Sequence, residues 1–301
     1  MLRARLEAAA QELMTPGDRH VDFTQPPGEP ALVAPDSVSW QVFKNPVALF
    51  VGGVAAVILE LAEPRVRAGV WGHSDFRIDP VGRLRRTGLA AMVTVYGARS
   101  VAEAMIAGVG RMHARVRGET EAGQPYRADD PELLTWVQAT AAFGFLEAYA
   151  AFVRPVAAAD RDAYYAEGQA AGRLYGADAP PASQAELEAL FARVRPTLEA
   201  SPAIFEFLDI MHAAPVLPGA LRRGQGLFVR AAVEIVPGWA RRIVGLGPRY
   251  GLRAWERPLV RAAGGAADRL VLRTGPAVQA SRRLGLPDDY LYRPSRQAAE
   301  R

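Results

Sequence analysis

Helix-start signals recur along the whole chain, and they constrain its fold more than any other feature. Asn45-Pro46, Asp79-Pro80 and Asp130-Pro131 each place a capping side chain directly before a first-turn proline. Two capping boxes, Ser100–Glu103 and Ser183–Glu186, mark two further starts. No run of alternating strand residues separates the apolar segments that follow these signals. The sequence therefore predicts an all-α fold, which we interpret as a single multi-helix domain.

The predicted helices cover most of the chain and leave irregular segments at its ends. Residues 1–44 read as an N-terminal helix followed by an irregular arm over 15–44, residues 45–265 as one helical domain, and residues 266–301 as an extension that is irregular from Leu284. Pro237 should break or kink the helices around it. The predicted helices lie at about 47–61, 65–73, 80–96, 100–117, 131–152, 160–174, 184–199, 202–213, 219–236, 238–245 and 249–264.

Composition removes several classes of function. The chain has no cysteine, which excludes disulfides, thiolate nucleophiles, Cys-ligated zinc, iron–sulfur clusters and thiolate-bound haem. Lys44 is the only lysine, and it does not lie in a phosphate-binding loop. The arginines alternate with acids along the chain, which argues against a nucleic-acid surface but leaves weak attraction to acidic membranes open. The sequence leaves the oligomeric state open.

Two segments bear on location. Met1–Met14 is amphipathic and lacks the continuous apolar core of a signal peptide, so we expect a cytoplasmic protein that could contact a membrane peripherally. The longest apolar run, Val47–Leu59, has 13 residues, whereas a bilayer span needs about 20. We therefore predict that this run is a buried core helix.

His113 is the histidine whose surroundings differ from those of the others. It shares an apolar stripe with Ile106, Val109 and Val116, and we expect Gly118 to end its helix. Gly110 lies one turn earlier and removes side-chain bulk beside the imidazole, which would let a flat macrocycle approach. The spacing is equally compatible with a packed core histidine that bonds a backbone carbonyl.

Arg83, Arg86 and Thr87 form a second cluster, because spacings of three and four place them on one helix face. Two guanidinium groups and a hydroxyl could hold carboxylates or stabilise a polarised oxygen species. The alternative is a solvated charged face, or ion pairs to Asp75, Asp79 or Glu60. His73 precedes this helix, and it could face the same cavity or cap the helix before it.

Several motifs occur in one order that resembles a known family. The chain is similar to the MpaB/rubber oxygenase (latex-clearing protein) catalytic-domain family over roughly residues 40–265, most strongly from 64 to 140. The matching motifs are Pro64-x-Val66-x-Ala68-Gly69-Val70, His73-Ser74-Asp75-Phe76, Asp79-Pro80-x-Gly82-Arg83-Leu84-x-Arg86-Thr87, His113-x-x-Val116-x-Gly118 and Tyr126-x-Ala128-x-Asp130-Pro131-Glu132-Leu133-Leu134-x-Trp136-Val137.

The resemblance implies an all-α, oxygenase-like domain with a buried cofactor pocket. The latex-clearing members are haem b dioxygenases that cleave carbon–carbon double bonds of polyisoprene. By this resemblance His113 would be the proximal iron ligand. Gly110 and His73 are candidate cofactor-binding residues because of their positions, one beside His113 and the other before the arginine helix. Arg83, a basic residue three positions later and Thr87 would line the distal side of the haem, with Arg83 both catalytic and cofactor-binding.

Two departures from the family bear on the substrate. The latex-clearing enzymes carry a lysine where this chain has Arg86, and there the lysine is linked to opening and closing of the haem pocket. Arginine is bulkier and never deprotonates, so the substrate and the iron's sixth coordination position could differ. Those enzymes are also secreted with a signal, which we do not find here.

We therefore predict a haem b-dependent oxygenase that acts on O₂ and a small apolar, isoprenoid- or lipid-like molecule. Arg83 and Thr87 would stabilise negative charge that develops on oxygen, and Arg86 would gate the pocket or pair with a haem propionate. Two alternatives stay open at this point. One is a non-catalytic carrier or sensor that binds haem or an apolar ligand, and the other is a haem-free helical protein.

Overall fold

The computed structural model describes residues 21–73, 75–217 and 219–293, and these confirm the predicted all-α, single-domain fold. The predicted helix near Met1–Met14 and the polar end at 294–301 lie outside the described residues. The α-helices are α1 Val38–Phe43, α2 Pro46–Ala62, α3 Pro64–His73, α4 Pro80–Tyr96, α5 Arg99–His113, α6 Pro131–Phe152, α7 Ala158–Tyr175, α8 Gln184–Val194, α9 Pro202–Ala213, α10 Gln225–Ile235, α11 Gly238–Val244, α12 Arg257–Asp268 and α13 Pro276–Arg283.

The three Asx-Pro signals start helices as predicted. Asn45 Oδ1 accepts hydrogen bonds from the backbone N–H groups of Val47 and Ala48, each at 3.1 Å. Asp79 accepts one from Gly82 at 2.8 Å, and Asp130 caps α6 in the same way. Each cap satisfies backbone donors that the first turn of a helix leaves without a partner.

The core is built on the crossing of α2 and α6. Ten residues of α2 are buried, which confirms the prediction that its apolar run is a core helix. The two backbones touch where Gly52 faces Gly144, because a Cβ added at Gly52 would lie 2.6 Å from the Gly144 carbonyl oxygen. Within the described residues no single helix is long and apolar enough to cross a membrane, although α2 and α3, which bend by 112° at their junction, pass that test as a pair.

The capping box predicted at Ser100 is wrong. Helix α5 begins at Arg99, and its N-cap residue Ala98 makes no side-chain bond. Glu29 of the N-terminal arm instead accepts hydrogen bonds from the Ser100 N–H at 2.6 Å and from its hydroxyl at 3.0 Å. A carboxylate distant in sequence thus replaces the local cap.

The predicted end of this helix at Gly118 is also wrong. Helix α5 stops at His113, and a small antiparallel hairpin follows, with strands β1 Arg117–Glu119 and β2 Pro125–Arg127. Gly118 pairs with Tyr126 across this hairpin, and a Cβ at Gly118 would lie 2.9 Å from the Tyr126 hydroxyl. The glycine is needed for this close approach of the tyrosine ring.

Other boundaries differ from the sequence prediction. Helices end at Ile235 and restart at Gly238, which confirms the break at Pro237. The helices predicted over 184–199, 219–236 and 249–264 are shorter or shifted, because short 3₁₀ turns occupy Arg195–Thr197, Gly219–Gly224 and Pro248–Tyr250. The arm and the extension also contain helices, α1 and α13, that the sequence did not predict.

The C-terminal segment packs back on the N-terminal arm. Arg283, at the end of α13, is 3% exposed and donates hydrogen bonds to the carbonyl oxygens of Glu29 at 2.8 Å and Phe23 at 2.9 Å. The division of the chain at residues 44 and 265 stays a prediction.

Candidate active site

Charged and titratable side chains from three helices interact near the end of the α2–α6 core. Glu60 lies in the last turns of α2, Arg83 near the start of α4, and His113 in the last turn of α5. The charge of Arg83 acts on both Glu60 and His113. The structure therefore brings together two residues that the sequence singled out, and adds a third.

His113 is half-buried, and its ring nitrogen Nδ1 is buried without a hydrogen-bond partner among the residues that the structure describes. Burial lowers the pKa of His113, the charge of Arg83 lowers it further, and Asp129 opposes the shift. The imidazole is therefore neutral at pH 7, which is the form that can ligate a metal. This contrasts with the alternative of a packed core histidine, whose ring nitrogen would bond a carbonyl.

Gly110, one turn before His113, borders open space. A Cβ built there meets no atom within 4 Å, so no neighbouring side chain crowds this side of the helix. Ile106, one turn before Gly110 on the same helix, is buried, while Val109 is half-buried. The end of α5 thus offers an imidazole and an open backbone surface next to each other.

Arg83 and Thr87 are joined on α4. The Thr87 hydroxyl donates to the Arg83 carbonyl oxygen at 3.0 Å and accepts a short hydrogen bond from Arg83 Nη1. Burial lowers the pKa of Arg83, while the carboxylate of Glu60 opposes that shift. Thr87 therefore fixes the direction of a guanidinium whose charge is partly removed from water.

Arg86 occupies a different environment from Arg83. Its side chain is 42% exposed and faces two carboxylates, Asp75 at 3.5 Å and Asp79 at 3.6 Å. These are the ion pairs that the sequence left open as an alternative for this cluster. At such distances and exposure each pair contributes little to stability, so Arg86 is held loosely.

Glu60 is a site residue that the sequence offered only as a possible ion-pair partner of the arginine cluster. Burial raises the pKa of Glu60 to about 7, and the charge of Arg83 only partly opposes this. An acid within an otherwise apolar helix was a visible signal, but we had interpreted that helix only as core. Near pH 7 this carboxyl group is a proton donor and acceptor beside the guanidinium.

His73 points to the hairpin. Its Nε2 lies 3.0 Å from the Tyr126 hydroxyl, and the residue is exposed at the end of α3. The sequence suggested that His73 faces the cavity or caps the preceding helix, and neither role included a hydrogen bond to this tyrosine. A role in cofactor binding stays a prediction.

The side chains fit a haem in their chemistry. Haem iron needs one protein ligand. The buried Nδ1 of His113 has no hydrogen-bond partner within residues 21–73, 75–217 and 219–293, and it lies beside the open surface at Gly110, so it offers such a ligand. No group of three or more His, Asp or Glu side chains that could hold a metal ion occurs in the described part of the chain.

Comparison with known proteins gives one match. The model of the family described as "ER-bound oxygenase mpaB/B'/Rubber oxygenase, catalytic domain" matches residues 40–268, which is more than half of the chain. The matched residues include Glu60, Arg83 and His113. Neither the curated proteins nor the solved structures gave a match.

Proposed function

Because this chain belongs to the MpaB/rubber oxygenase catalytic-domain family, we propose that it is a haem b-dependent oxygenase acting on a small apolar, isoprenoid- or lipid-like substrate. Membership establishes an oxygenase catalytic domain in coarse terms. The haem and the substrate class are the proposal. The observation that carries it is the half-buried His113 next to the charge of Arg83, with a buried ring nitrogen that has no hydrogen-bond partner among the described residues.

His113 would hold the iron in this proposal. A haem iron, when bound, supplies the binding and activation of O₂. Desolvation and the nearby guanidinium keep the imidazole neutral, so no proton has to leave before it ligates. Gly110 would leave room for the flat ring beside the helix.

Arg83 would stabilise negative charge that develops on oxygen during the reaction. A guanidinium already shielded from water does this with little reorganisation. Thr87 would act by holding Arg83, since its hydroxyl already bonds both the Nη1 and the carbonyl of that residue. We propose that Arg86 controls access or pairs with a propionate, and its loose pairs to Asp75 and Asp79 would allow it to move.

An absorption spectrum tests the haem. We expect protein expressed with a haem supply, or reconstituted with haem, to show a Soret band that His113→Ala abolishes. His212→Ala is the matched control, because His212 also lies in the last turn of a helix and burial also lowers its pKa. The absence of a Soret band after reconstitution, or equal bands in the two variants, would refute the role of His113.

Oxygen uptake tests the reaction. We expect the reconstituted protein to consume O₂ only when an apolar olefin, such as a short isoprenoid, is added. A stable Soret band with no uptake across a series of such compounds would indicate a carrier or sensor instead of an oxygenase.

A further inference from the structure

Helix α12 packs on the core through one narrow face. Val260 is fully buried, and Gly264 lies so close to α6 that a Cβ there would collide with the Phe152 carbonyl oxygen. At the start of the helix Glu256 is 1% exposed and accepts two hydrogen bonds from Arg230. These contacts fix the helix in rotation and direct its opposite face to solvent.

The outward side of α12, together with Trp255 in the turn before it, is apolar. Trp255 is 61% exposed and Leu259, one turn later, is 50% exposed. Ala262 and Ala266 continue the exposed stripe at helical spacing. Trp255 is also the tryptophan most open to solvent, since the other four are buried or half-buried. An exposed apolar stripe of this kind is typical of a surface that binds something.

Exposed arginines border the stripe: Arg249 and Arg253 precede α12, and Arg257 and Arg261 lie on it. The segment from 234 to 268 contains six arginines and three acids, Glu234, Glu256 and Asp268. The surface around the stripe therefore carries a net positive charge.

The acids near α12 neutralise only part of this charge. A carboxylate oxygen of Glu234 lies 3.8 Å from a guanidinium nitrogen of Arg241, and the other lies 3.9 Å from one of Arg257. The side chain of Glu256 is 2% exposed and is taken up by Arg230. Asp268, at the other end, is 18% exposed and pairs with Lys44 at 3.2 Å. A ligand approaching from solvent thus meets arginine, tryptophan and leucine.

We propose that the surface formed by Trp255, in the turn before α12, by Leu259 on α12 and by their bordering arginines docks the protein on an anionic lipid bilayer. Tryptophan and leucine enter the headgroup–acyl boundary, while arginines remain at the phosphates. The helix lies flat on the bilayer surface and does not cross it. An oxygenase docked in this way would take up a water-insoluble substrate where it is dissolved.

Charge complementarity favours a membrane over the other occupants of this face. The N-terminal segment Leu2–Met14 carries Arg3 and Arg5 against Glu7 and Glu12, so it offers no net negative charge to the arginines. A second copy of α12 would bring like charges together. Anionic phospholipid headgroups supply the missing charge and the apolar layer at once.

Vesicle sedimentation of the full-length protein tests the proposal, with phosphatidylcholine vesicles that contain or lack phosphatidylglycerol. We expect binding that requires phosphatidylglycerol and weakens as salt is raised. Trp255→Ala combined with Leu259→Ala should lower the partition coefficient at least about tenfold. Arg253→Gln combined with Arg257→Gln should lower it about fivefold per arginine.

A matched pair on another helix provides the control. Arg173 and Leu174 are exposed near the end of α7, with Leu174 at 46%. Arg173→Gln combined with Leu174→Ala should bind vesicles like the unsubstituted protein. Equal binding by all variants, or binding that ignores phosphatidylglycerol, would overturn the proposal. This readout needs neither haem nor turnover, so it can fail independently of the proposed function.

Two further measurements address the other occupants. If light scattering detects a dimer that Trp255→Ala dissociates, a second copy covers the face and the proposal is wrong. Comparison with Trp255→Phe identifies the part of the tryptophan fluorescence that comes from Trp255. The proposal also fails if acrylamide cannot quench this part before vesicles are added, because another segment of the same chain then covers Trp255. We expect a quenchable Trp255 that becomes protected only on anionic vesicles.

Discussion

The crossing of α2 and α6 makes a sharp prediction about two adjacent glycines. An alanine at position 52 places its Cβ 2.6 Å from the Gly144 oxygen and 2.7 Å from both the Gly144 carbonyl carbon and Phe145 Cα. An alanine at position 53 meets only Phe145 Cε1, at 3.8 Å. Both positions lie inside the same helix, so propensity alone would favour the two substitutions equally.

The magnitudes follow from these distances. Non-bonded carbon atoms prefer about 3.5–4.0 Å, so α2 and α6 must separate by about 1 Å to accept Gly52→Ala, since backbone atoms cannot rotate away. Overpacking of this kind costs about 1–3 kcal/mol, against a gain of about 0.5–1 kcal/mol from replacing a helical glycine. We expect Gly52→Ala to lose about 1 kcal/mol of unfolding free energy, and Gly53→Ala to gain about 0.5–1 kcal/mol.

Thermal unfolding followed by circular dichroism separates the two variants. The two variants should therefore differ by about 2 kcal/mol, which corresponds to about 4 °C in Tm for a chain of this size. Urea unfolding provides the free energy where heating is irreversible. If Gly52→Ala melts at or above the temperature of Gly53→Ala, the close approach of the two backbones is wrong, and with it the packing that positions Glu60.

Two other predictions concern the site. Thr87→Val removes the hydroxyl that holds Arg83, so we expect O₂ consumption to fall about tenfold or more with an unchanged Soret band. Thr87→Ser retains a hydroxyl and should keep the rate. Equal rates in the two variants would contradict the positioning role of Thr87. Burial raises the pKa of Glu60 from its ordinary value of 4.5 to about 7 in the folded protein. Because the unfolded chain loses this proton first, the free energy of unfolding of the wild type falls as pH rises from 4.5 to 7. Glu60→Gln should therefore be more stable than wild type by up to about 3 kcal/mol above pH 7 and equal to it below pH 4.5, as urea titrations at a series of pH values would measure.

Local chemistry explains which parts of the fold the sequence predicted. Asn45, Asp79 and Asp130 cap their helices because the donor groups lie two or three residues away, within reach of any such side chain. Ser100 carries the same local signal, yet Glu29 outcompetes it from 71 residues away. A local capping pattern cannot predict a carboxylate that is distant in sequence and comes close only in the tertiary fold.

The hairpin after α5 was invisible for a different reason. Its strands have three residues each, too few to display an alternating pattern, and Arg117 pairs directly with Arg127. Like charges opposite each other usually disfavour pairing, and here Asp129 relieves the repulsion by binding Arg127 at 2.8 Å. The hairpin is stabilised by Tyr126, which lies against Gly118 and bonds His73.

The coupling within the site could be predicted only in part, because Glu60, Arg83 and His113 lie on three helices. The sequence offered Glu60 as one possible ion-pair partner of the arginine cluster, and motif order assigned Arg83 and His113 to opposite sides of a cofactor. The structure adds that the guanidinium of Arg83 lowers the pKa of both the imidazole and the carboxyl group. Its removal would let both groups hold protons to higher pH. A substitution of Arg83 would therefore change the protonation of His113, the proposed iron ligand, as well as any contact of Arg83 with oxygen, and its effect on rate cannot be assigned to a lost contact alone.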